Sequence, residues 1–143
     1  EILDAKKQAI CSIHPSATVF DALKMMSEME IGAVMVIDET GAVRGLLSER
    51  DYARKISLQG KTSRDTSVAE IMTPTERMHS VTPASTLEDC MVLMTAVQVR
   101  HLPVFDNGRF LGLISIGDVV KTIISEKQSL IDQLNSYICG KYA

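Results

Sequence analysis

Residues 45–51 read GLLSERD, and residues 112–118 read GLISIGD. Each stretch consists of a glycine, two apolar residues, a serine, two variable residues and an aspartate. The recurrence of this pattern in a chain of 143 residues predicts an internal repeat. A repeat has to be identified before single elements are assigned, because missing it misassigns the whole fold.

The repeat covers most of the chain. Residues 11–56 align with residues 79–124 when the offset is shortened by one position after Asn107. Identical residues include the pairs Pro15/Pro83, Thr18/Thr86, Asp38/Asp106, Ser48/Ser115 and Asp51/Asp118. The chain therefore contains two copies of one supersecondary unit, each too small to bury its apolar face alone.

Both copies predict the same first helix. Thr18 is followed three residues later by Asp21, and Thr86 by Asp89, a pattern typical of a helix N-terminus. Apolar residues then recur at helical spacing. We expect this periodicity to direct five methionines into the core: Met25, Met26, Met29, Met91 and Met94.

The strands follow from shorter signals. Residues 11–14 form an extended segment before Pro15, and residues 33–37 are a continuous apolar run of strand length. A partner strand is predicted over residues 42–47, and Asn107-Gly108 marks the equivalent hairpin in the second copy. A second helix begins after Ser48 in the first copy and after Ser115 in the second. The order in each copy is strand, helix, strand, strand, helix.

Two further helices lie outside the repeat. Residues 67–72 predict a short helix with a Ser67/Glu70 capping box, stopped by Pro74. After Ser125, apolar spacing indicates an amphipathic C-terminal helix, whose apolar stripe needs either the body of the chain or a second subunit. We expect the first unit to span residues 1–62, and the second to span 63–143 with the short helix at its start.

The amino-acid composition argues against several classes of function. The chain is 45% hydrophobic and 23% charged, with a net charge of −3 and a pI near 5.6, so nucleic acid and anionic membranes are not expected partners. The first ten residues lack a basic start followed by an apolar run, and no run is apolar enough for a membrane span, so we expect neither export nor membrane insertion. Cys11, Cys90 and Cys139 lack metal or redox spacing, which predicts reduced thiols in a cytoplasmic protein.

The repeated Ser-x-x-Asp permits two interpretations. The serine and aspartate can cap a helix, as Thr18/Asp21 do at the other helix, or the aspartate can bind a ligand. Arg50 in the first turn, with Arg54 four residues on, favours an anion at that helix N-terminus. In the second copy, Arg100 and His101 replace Gly32 and Ala33 at the start of the strand. Both interpretations remain open at this point.

The whole pattern resembles a tandem pair of cystathionine-beta-synthase (CBS) domains. The likeness rests on the repeated P-x-x-T helix start, the RHLPVFDNG stretch and the GLLS/GLIS-x-x-D motif near the end of each copy. It covers about residues 11–124. It implies an α+β fold of two β-α-β-β-α units packed with pseudo-twofold symmetry around two clefts, as in a Bateman module. It also implies a homodimer and regulatory binding of adenine nucleotides.

The resemblance assigns residues to parts of such a ligand. Ser48, Asp51, Ser115 and Asp118 match the ribose-binding motif, which suits a carboxylate that can accept bonds from both hydroxyls of a ribose. Arg50, Arg54, Arg100 and His101 are the expected phosphate-binding residues. The residues expected around adenine are Ile13, Val34, Leu47, Met78, His79, Val81, Leu102, Pro103 and Ile114.

The two implied sites differ in charge. Gly117 stands in the place of Arg50, and the Arg100/His101 pair has no counterpart in the first copy. Arg50 could serve a phosphate whose ribose is held by Asp118. Such asymmetry suits two different ligands, for example AMP, ADP or ATP at one site and NAD(H) at the other.

Other functions are weaker matches. The three histidines show no metal-ligand spacing and no Walker loop is present, so we expect neither catalysis nor a catalytic cofactor or metal. The remaining alternatives are a sensor of S-adenosylmethionine and a ligand-free dimerisation scaffold that uses the C-terminal helix. The sequence does not identify the protein target that would read out ligand binding.

Overall fold

The computed structural model describes the backbone of residues 11–142 and the side chains of residues 11–138. Contacts between residues divide the chain into two compact units. The first unit ends at His79, and the second copy of the repeat lies in the second unit, from Ser80 onwards. Each unit combines helices with a small sheet, which confirms the predicted α+β class.

The first unit opens with strand β1 (Ser12–Ile13) and helix α1 (Val19–Met29). The Thr18 hydroxyl accepts a hydrogen bond from the Asp21 N–H at 3.1 Å, so the predicted cap is confirmed. The helix ends at Glu30, which adopts a left-handed conformation and donates its N–H to carbonyls of the last turn.

The sheet of the first unit has four strands in the order β1-β2-β3-β4. Strand β2 (Ala33–Ile37) lies parallel to β1 and antiparallel to β3 (Val43–Ser48), which starts and ends one residue later than predicted. Strand β4 (Thr73–Pro74) pairs with β3. The register places Ser48 opposite Ala33, where β3 ends and the next helix begins.

The short helix between the copies belongs to the first unit. Helix α3 (Val68–Ile71) has the predicted Ser67/Glu70 capping box, and Val68 and Ile71 are buried in the same core as β2 and α1. The backbone N–H of Val68 also donates to Ala17 O at 2.8 Å. The division therefore falls after His79, whereas the sequence assigned residues 63–79 to the second unit.

The second unit repeats this order. Val81 forms a parallel bridge with Val104, in the position of β1, and is followed by helix α4 (Leu87–Val97). Strands β5 (His101–Asp106) and β6 (Arg109–Ser115) form an antiparallel hairpin. Asn107 and Gly108 both have positive φ, which confirms the predicted tight turn.

Each unit has its own buried core. Val19, Val34 and Leu47 are fully buried in the first, and Leu102 and Val119 in the second. Met26 and Met94 are buried and Met25 and Met91 partly so, but Met29 is 50% exposed, so its predicted inward position is wrong. Met29 is the last residue of α1, next to the exposed Glu30 at which the helix ends.

The closing helices of the two copies differ in form. In the first copy, helix α2 (Glu49–Tyr52) is one turn long and continues as a π-helical segment (Ala53–Ser57). In the second copy, helix α5 (Ile116–Tyr142) is regular and 27 residues long. The predicted C-terminal helix is therefore the continuation of the second copy's last helix and not a separate element.

Candidate functional site

The end of β3 and the start of α2 hold the first Ser-x-x-Asp pair. The backbone N–H of Ser48 donates to Asp51 Oδ2 at 3.0 Å, and the N–H of Asp51 donates to Ser48 Oγ at 3.3 Å. This reciprocal arrangement is a capping box, which satisfies two backbone donors at the helix N-terminus. The capping interpretation of the motif is therefore confirmed for the first copy.

The second oxygen of Asp51 has partners from outside the motif. Asp51 Oδ1 lies 3.2 Å from Lys55 Nζ and accepts a hydrogen bond from the Thr73 hydroxyl at 3.4 Å. Lys55 also donates to the carbonyl oxygen of Ile71 at 2.9 Å. The carboxylate thus joins α2 to the segment that contains α3 and β4, and the residue is only 8% exposed.

Lys55 and Thr73 were not predicted as site residues. The spacing of Lys55, four residues after Asp51 on a helix, is a signal that could have identified it. Thr73 is 22 positions from Asp51, and its approach depends on how β4 pairs with β3. No local pattern could have shown that contact.

The second copy caps its helix in the same way. The backbone N–H of Ser115 donates to Asp118 Oδ2 at 2.8 Å, and the N–H of Asp118 donates to Ser115 Oγ at 3.1 Å. Thr122 occupies the position of Lys55 and donates its hydroxyl to the backbone oxygen of Asp118 at 2.8 Å. The two aspartates therefore have different neighbours one helical turn further on.

Both motifs lie beside the start of the neighbouring strand. In the second unit, Ser115 is paired with His101, and the Ile116 N–H donates to Arg100 O at 2.8 Å. The structure thus brings four predicted residues together at this strand end: Arg100, His101, Ser115 and Asp118. In the first unit, Glu49 N–H donates in the same way to Gly32 O at 3.1 Å.

The predicted phosphate-binding residues are accessible. Arg50, Arg54 and Arg100 are exposed and His101 is half-buried. Arg50 lies in α2 and Arg54 in the π-helical segment that follows it. Among the ion pairs of the described residues, none involves the guanidinium of Arg54 or Arg100, so both cations can attract an anion from solution.

The predicted adenine-binding residues lie mainly in the two cores. The side chains of Val34, Leu47 and Leu102 are fully buried, and most of the others are nearly so, namely Ile13, Val81, Pro103 and Ile114. These positions can meet a ligand through their backbone and strand ends, not through open side chains. Met78 is half-buried and His79 exposed, at the end of the first unit after the 3-10 turn Thr75–Arg77.

Two other groups of residues carry no site chemistry. No cluster of three or more potential metal ligands occurs within the described part of the chain. Burial, assisted by the nearby Asp89 charge, raises the pKa of the Cys90 thiol and keeps it protonated at neutral pH. Neither Cys11 nor Cys90 forms a disulfide, and the side chain of Cys139 lies outside the described residues.

Among residues 11–142, no helix combines the length and the apolar character needed to cross a membrane.

Comparisons with known proteins agree on one family. The model of the CBS domain matches this chain twice, at residues 6–58 and 68–125. The chain is 41% identical over 127 residues to the mitochondrial CBS domain-containing protein CBSX3 of Arabidopsis thaliana, covering 87% of this chain and 62% of that protein. It therefore spans less than two thirds of that relative's length.

Two further matches are of similar size to this chain. The CBS domain-containing protein YhcV of Bacillus subtilis is 30% identical over 128 residues, with 90% of this chain and 89% of YhcV covered. A solved structure of a protein with CBS domains from Burkholderia ambifaria is 45% identical, covers 87% of this chain and 91% of its own, and superposes with a TM-score of 0.81. With two matched domains, this chain belongs to the CBS-domain family.

Proposed function

We propose that this chain is a regulatory module that binds adenine nucleotides, AMP, ADP or ATP and NAD(H), and reports energy or redox state through a ligand-dependent conformational change. The observation that supports it most is the repeated strand end, where a helix-capping aspartate follows the strand and an exposed arginine occurs nearby in the chain or across the hairpin, Arg50 in the first copy and Arg100 in the second. Paired CBS domains generally act as regulatory, ligand-binding sensors.

The chemistry of the strand end suits a nucleoside phosphate. An ionised aspartate only accepts hydrogen bonds, and its two oxygens offer about four acceptor positions, enough to keep a capping bond and take ribose hydroxyls. Arg54 and Arg100 can supply the planar donors that phosphate oxygens prefer. Aspartate would thus bind the ribose of the ligand, and arginine would bind its phosphates.

The two copies would offer a ligand different surroundings. In the first, ribose hydroxyls compete with Lys55 and Thr73 for Asp51 Oδ1. In the second, Thr122 stands at the position of Lys55, and Arg100 and His101 lie beside the motif. This difference in neighbouring residues is the basis for proposing two ligands instead of one.

Ligand-linked stabilisation tests the proposal directly. AMP, ATP, NADH and S-adenosylmethionine are each added to the purified chain, and binding is measured by calorimetry and by thermal unfolding. A ligand at 100 times its Kd should raise the free energy of unfolding by about 2.7 kcal/mol. Absence of binding by AMP, ATP and NADH would overturn the proposal; binding of S-adenosylmethionine alone would favour a sensor of that compound, and binding of none of the four would favour a scaffold.

Matched variants separate ligand binding from capping. Asp51→Asn and Asp118→Asn should each weaken one of the two sites, whereas Asp89→Asn should leave both affinities unchanged. Asp89 is the proper control because it forms the same capping box with Thr86, with bonds of 2.9 and 3.0 Å, at the other helix of its unit. If all three variants bind alike, the aspartates are caps and nothing more.

Location and catalysis are separate questions. The cytoplasmic location expected from the sequence stays a prediction, because the Arabidopsis relative is a mitochondrial protein. The expected lack of enzymatic activity also stays a prediction, which the same nucleotides test when they are assayed for turnover.

A further inference from the structure

The carboxylate of Asp51 is already fully hydrogen-bonded in the folded chain. Its Oδ2 accepts from the backbone N–H of Ser48 at 3.0 Å and from the Ser48 hydroxyl at 3.2 Å. Its Oδ1 accepts from the Thr73 hydroxyl at 3.4 Å and lies 3.2 Å from the Lys55 ammonium. A carboxylate offers about four acceptor positions, so these donors use its whole capacity. A ligand hydroxyl can therefore bind Asp51 only if one of the present donors leaves.

The donors of Asp51 differ in how easily they leave. The contacts with Ser48 belong to the capping box at the start of helix α2, and their loss would leave backbone N–H groups without partners. Thr73 makes the longest contact, and its hydroxyl can rotate to another acceptor. The side chain of Lys55 is 40% exposed, so its ammonium can move into water. The two hydroxyls of a ribose would thus replace the two donors on Oδ1.

The same two donors also hold the last part of the first unit. Lys55 donates to the carbonyl oxygen of Ile71, the last residue of α3, where helix carbonyls have no partner within the helix. Strand β4 contains two residues, Thr73 and Pro74, and proline has no N–H to donate to β3. Because so short a strand forms few backbone bonds, residues 71–78 depend strongly on the contacts of Lys55 and Thr73.

We propose that Lys55 and Thr73 form a latch that a ligand with free ribose hydroxyls releases. In the latched state, both side chains fill Asp51 Oδ1 and hold residues 71–78 to α2. In the released state, ribose hydroxyls fill Oδ1, and the Lys55 ammonium, left with one neutral carbonyl, turns to water. The ligand binds the released state only, so its binding shifts the chain toward that state.

The latch rests on the proposed nucleotide function and states how the first site would report that it is occupied. The released residues 71–78 include Met78, one of the residues expected around adenine, and lie directly before the second copy in the chain. Thr122 stands at the position of Lys55 in the second copy, and its hydroxyl donates to the backbone oxygen of Asp118. The latch is therefore assigned to the first copy.

Hydrogen exchange measured by mass spectrometry tests the latch. AMP, ATP and NADH are added singly to the full chain, and calorimetry measures occupancy under the same conditions. A bound ligand normally stabilises a fold and slows exchange. The latch predicts the opposite for residues 71–78, with exchange about fivefold faster, because hydrogen bonds that hold them are lost. Val68 and Ala69, whose N–H groups donate to Ala17 O and Pro15 O, serve as an internal reference and should not accelerate.

A matched ligand and a matched variant isolate the latch. Dideoxyadenosine monophosphate lacks both ribose hydroxyls and should not accelerate exchange at any occupancy. Lys55→Met combined with Thr73→Val should show fast exchange over residues 71–78 without any ligand, and AMP should add little to it. Lys24→Met, at an exposed position of α1, should behave as the unmodified chain does. Circular dichroism establishes that each variant is folded.

The acceleration should depend on the first aspartate. Asp118→Asn should keep the response of residues 71–78 to nucleotide, whereas Asp51→Asn should lose it. If calorimetry shows binding but exchange over these residues is unchanged or slower, the latch is overturned and the proposed function stands. An acceleration that persists in Asp51→Asn, or slow exchange in the Lys55→Met, Thr73→Val variant, also overturns the latch. Absence of binding by all three nucleotides overturns both proposals.

Discussion

The Lys55 ammonium lies 3.2 Å from the Asp51 carboxylate and 2.9 Å from the Ile71 carbonyl oxygen. Through this one side chain, the helix that follows β3 is connected to the short helix between the two copies. The hydroxyl of Thr122, the equivalent residue of the second copy, donates within its own helix, to the backbone oxygen of Asp118. The first copy thus has a tertiary link at the position where the second has a local one.

Removal of this link should lower stability. Lys55→Met keeps the aliphatic chain but loses both polar contacts, and because the Lys55 side chain is 40% exposed we expect a loss of about 1 kcal/mol or less. Lys24→Met, on the exposed side of α1, is the control and should have little effect. Urea unfolding measures both variants. Equal unfolding midpoints for Lys55→Met and the unmodified chain would show that the link contributes nothing.

Gly45 and Gly117 should respond to alanine with opposite signs. A Cβ at Gly45 would lie 2.5 Å from the Thr73 carbonyl oxygen and 2.9 Å from Met72 Sδ, so β4 would have to move away from β3. We expect Gly45→Ala to cost about 1–3 kcal/mol, as overpacking of a close contact does.

The matched substitution, Gly117→Ala, adds a methyl group without a steric clash. A Cβ at Gly117 would lie 3.6 Å from Ser115 Oγ, an ordinary contact, and Gly117→Ala should stabilise α5 by about 0.5 kcal/mol because alanine loses less backbone entropy in a helix. Thermal unfolding measures both variants. A tolerated Gly45→Ala would contradict the close approach of β4 to β3.

Asp38 should make stability depend on pH. The Thr40 hydroxyl donates to its carboxylate, and this bond, followed by the Ala42 and Thr40 backbone N–H groups and Arg44, holds the pKa of Asp38 below its usual value. A carboxyl with a lower pKa in the folded state stabilises the fold above the unfolded pKa, and that contribution is lost as the pH falls through the folded pKa.

Asp38→Asn should therefore be less stable than the unmodified chain at pH 7. The difference should shrink as the pH falls from about 4, near the unfolded pKa, through the lower pKa of the folded state, below which the carboxyl is protonated in both states. Thr40→Val, which removes the strongest contributor to the shift, should show the same trend with a smaller amplitude. Denaturation at several pH values measures this, and a difference that does not change with pH would contradict the role of the charge.

Cys90 should be the least reactive of the described thiols. It is 4% exposed, and burial raises its pKa, so little thiolate is available at neutral pH. In a chain that carries Cys11→Ser and Cys139→Ser, a chromogenic disulfide reagent should react with Cys90 far more slowly in the folded protein than after unfolding. Equal rates before and after unfolding would show that the thiol is accessible.

Much of the fold could be predicted because its signals are local. The helix starts at Thr18 and Thr86, the buried strand over residues 33–37 and the Asn107-Gly108 turn follow from capping, apolar runs and turn chemistry within a few residues. The repeat supports each assignment, because two stretches of the chain predict the same order of elements. The candidate site was predicted as a pair of motifs whose spacing alone favoured capping, while the neighbouring cations favoured a ligand.

The sequence by itself determined the two copies, their order of elements and the aspartates that cap the last helix of each copy. These features could be predicted because hydrophobic periodicity and helix capping act between residues that are close in the chain. Only the tertiary structure decided that residues 63–79 join the first unit, that Asp51 is held by Lys55 and Thr73, and that the last turns of α5 stay exposed. These features depend on which distant surfaces meet, and the free energy of such contacts is set by packing that no short stretch of sequence contains.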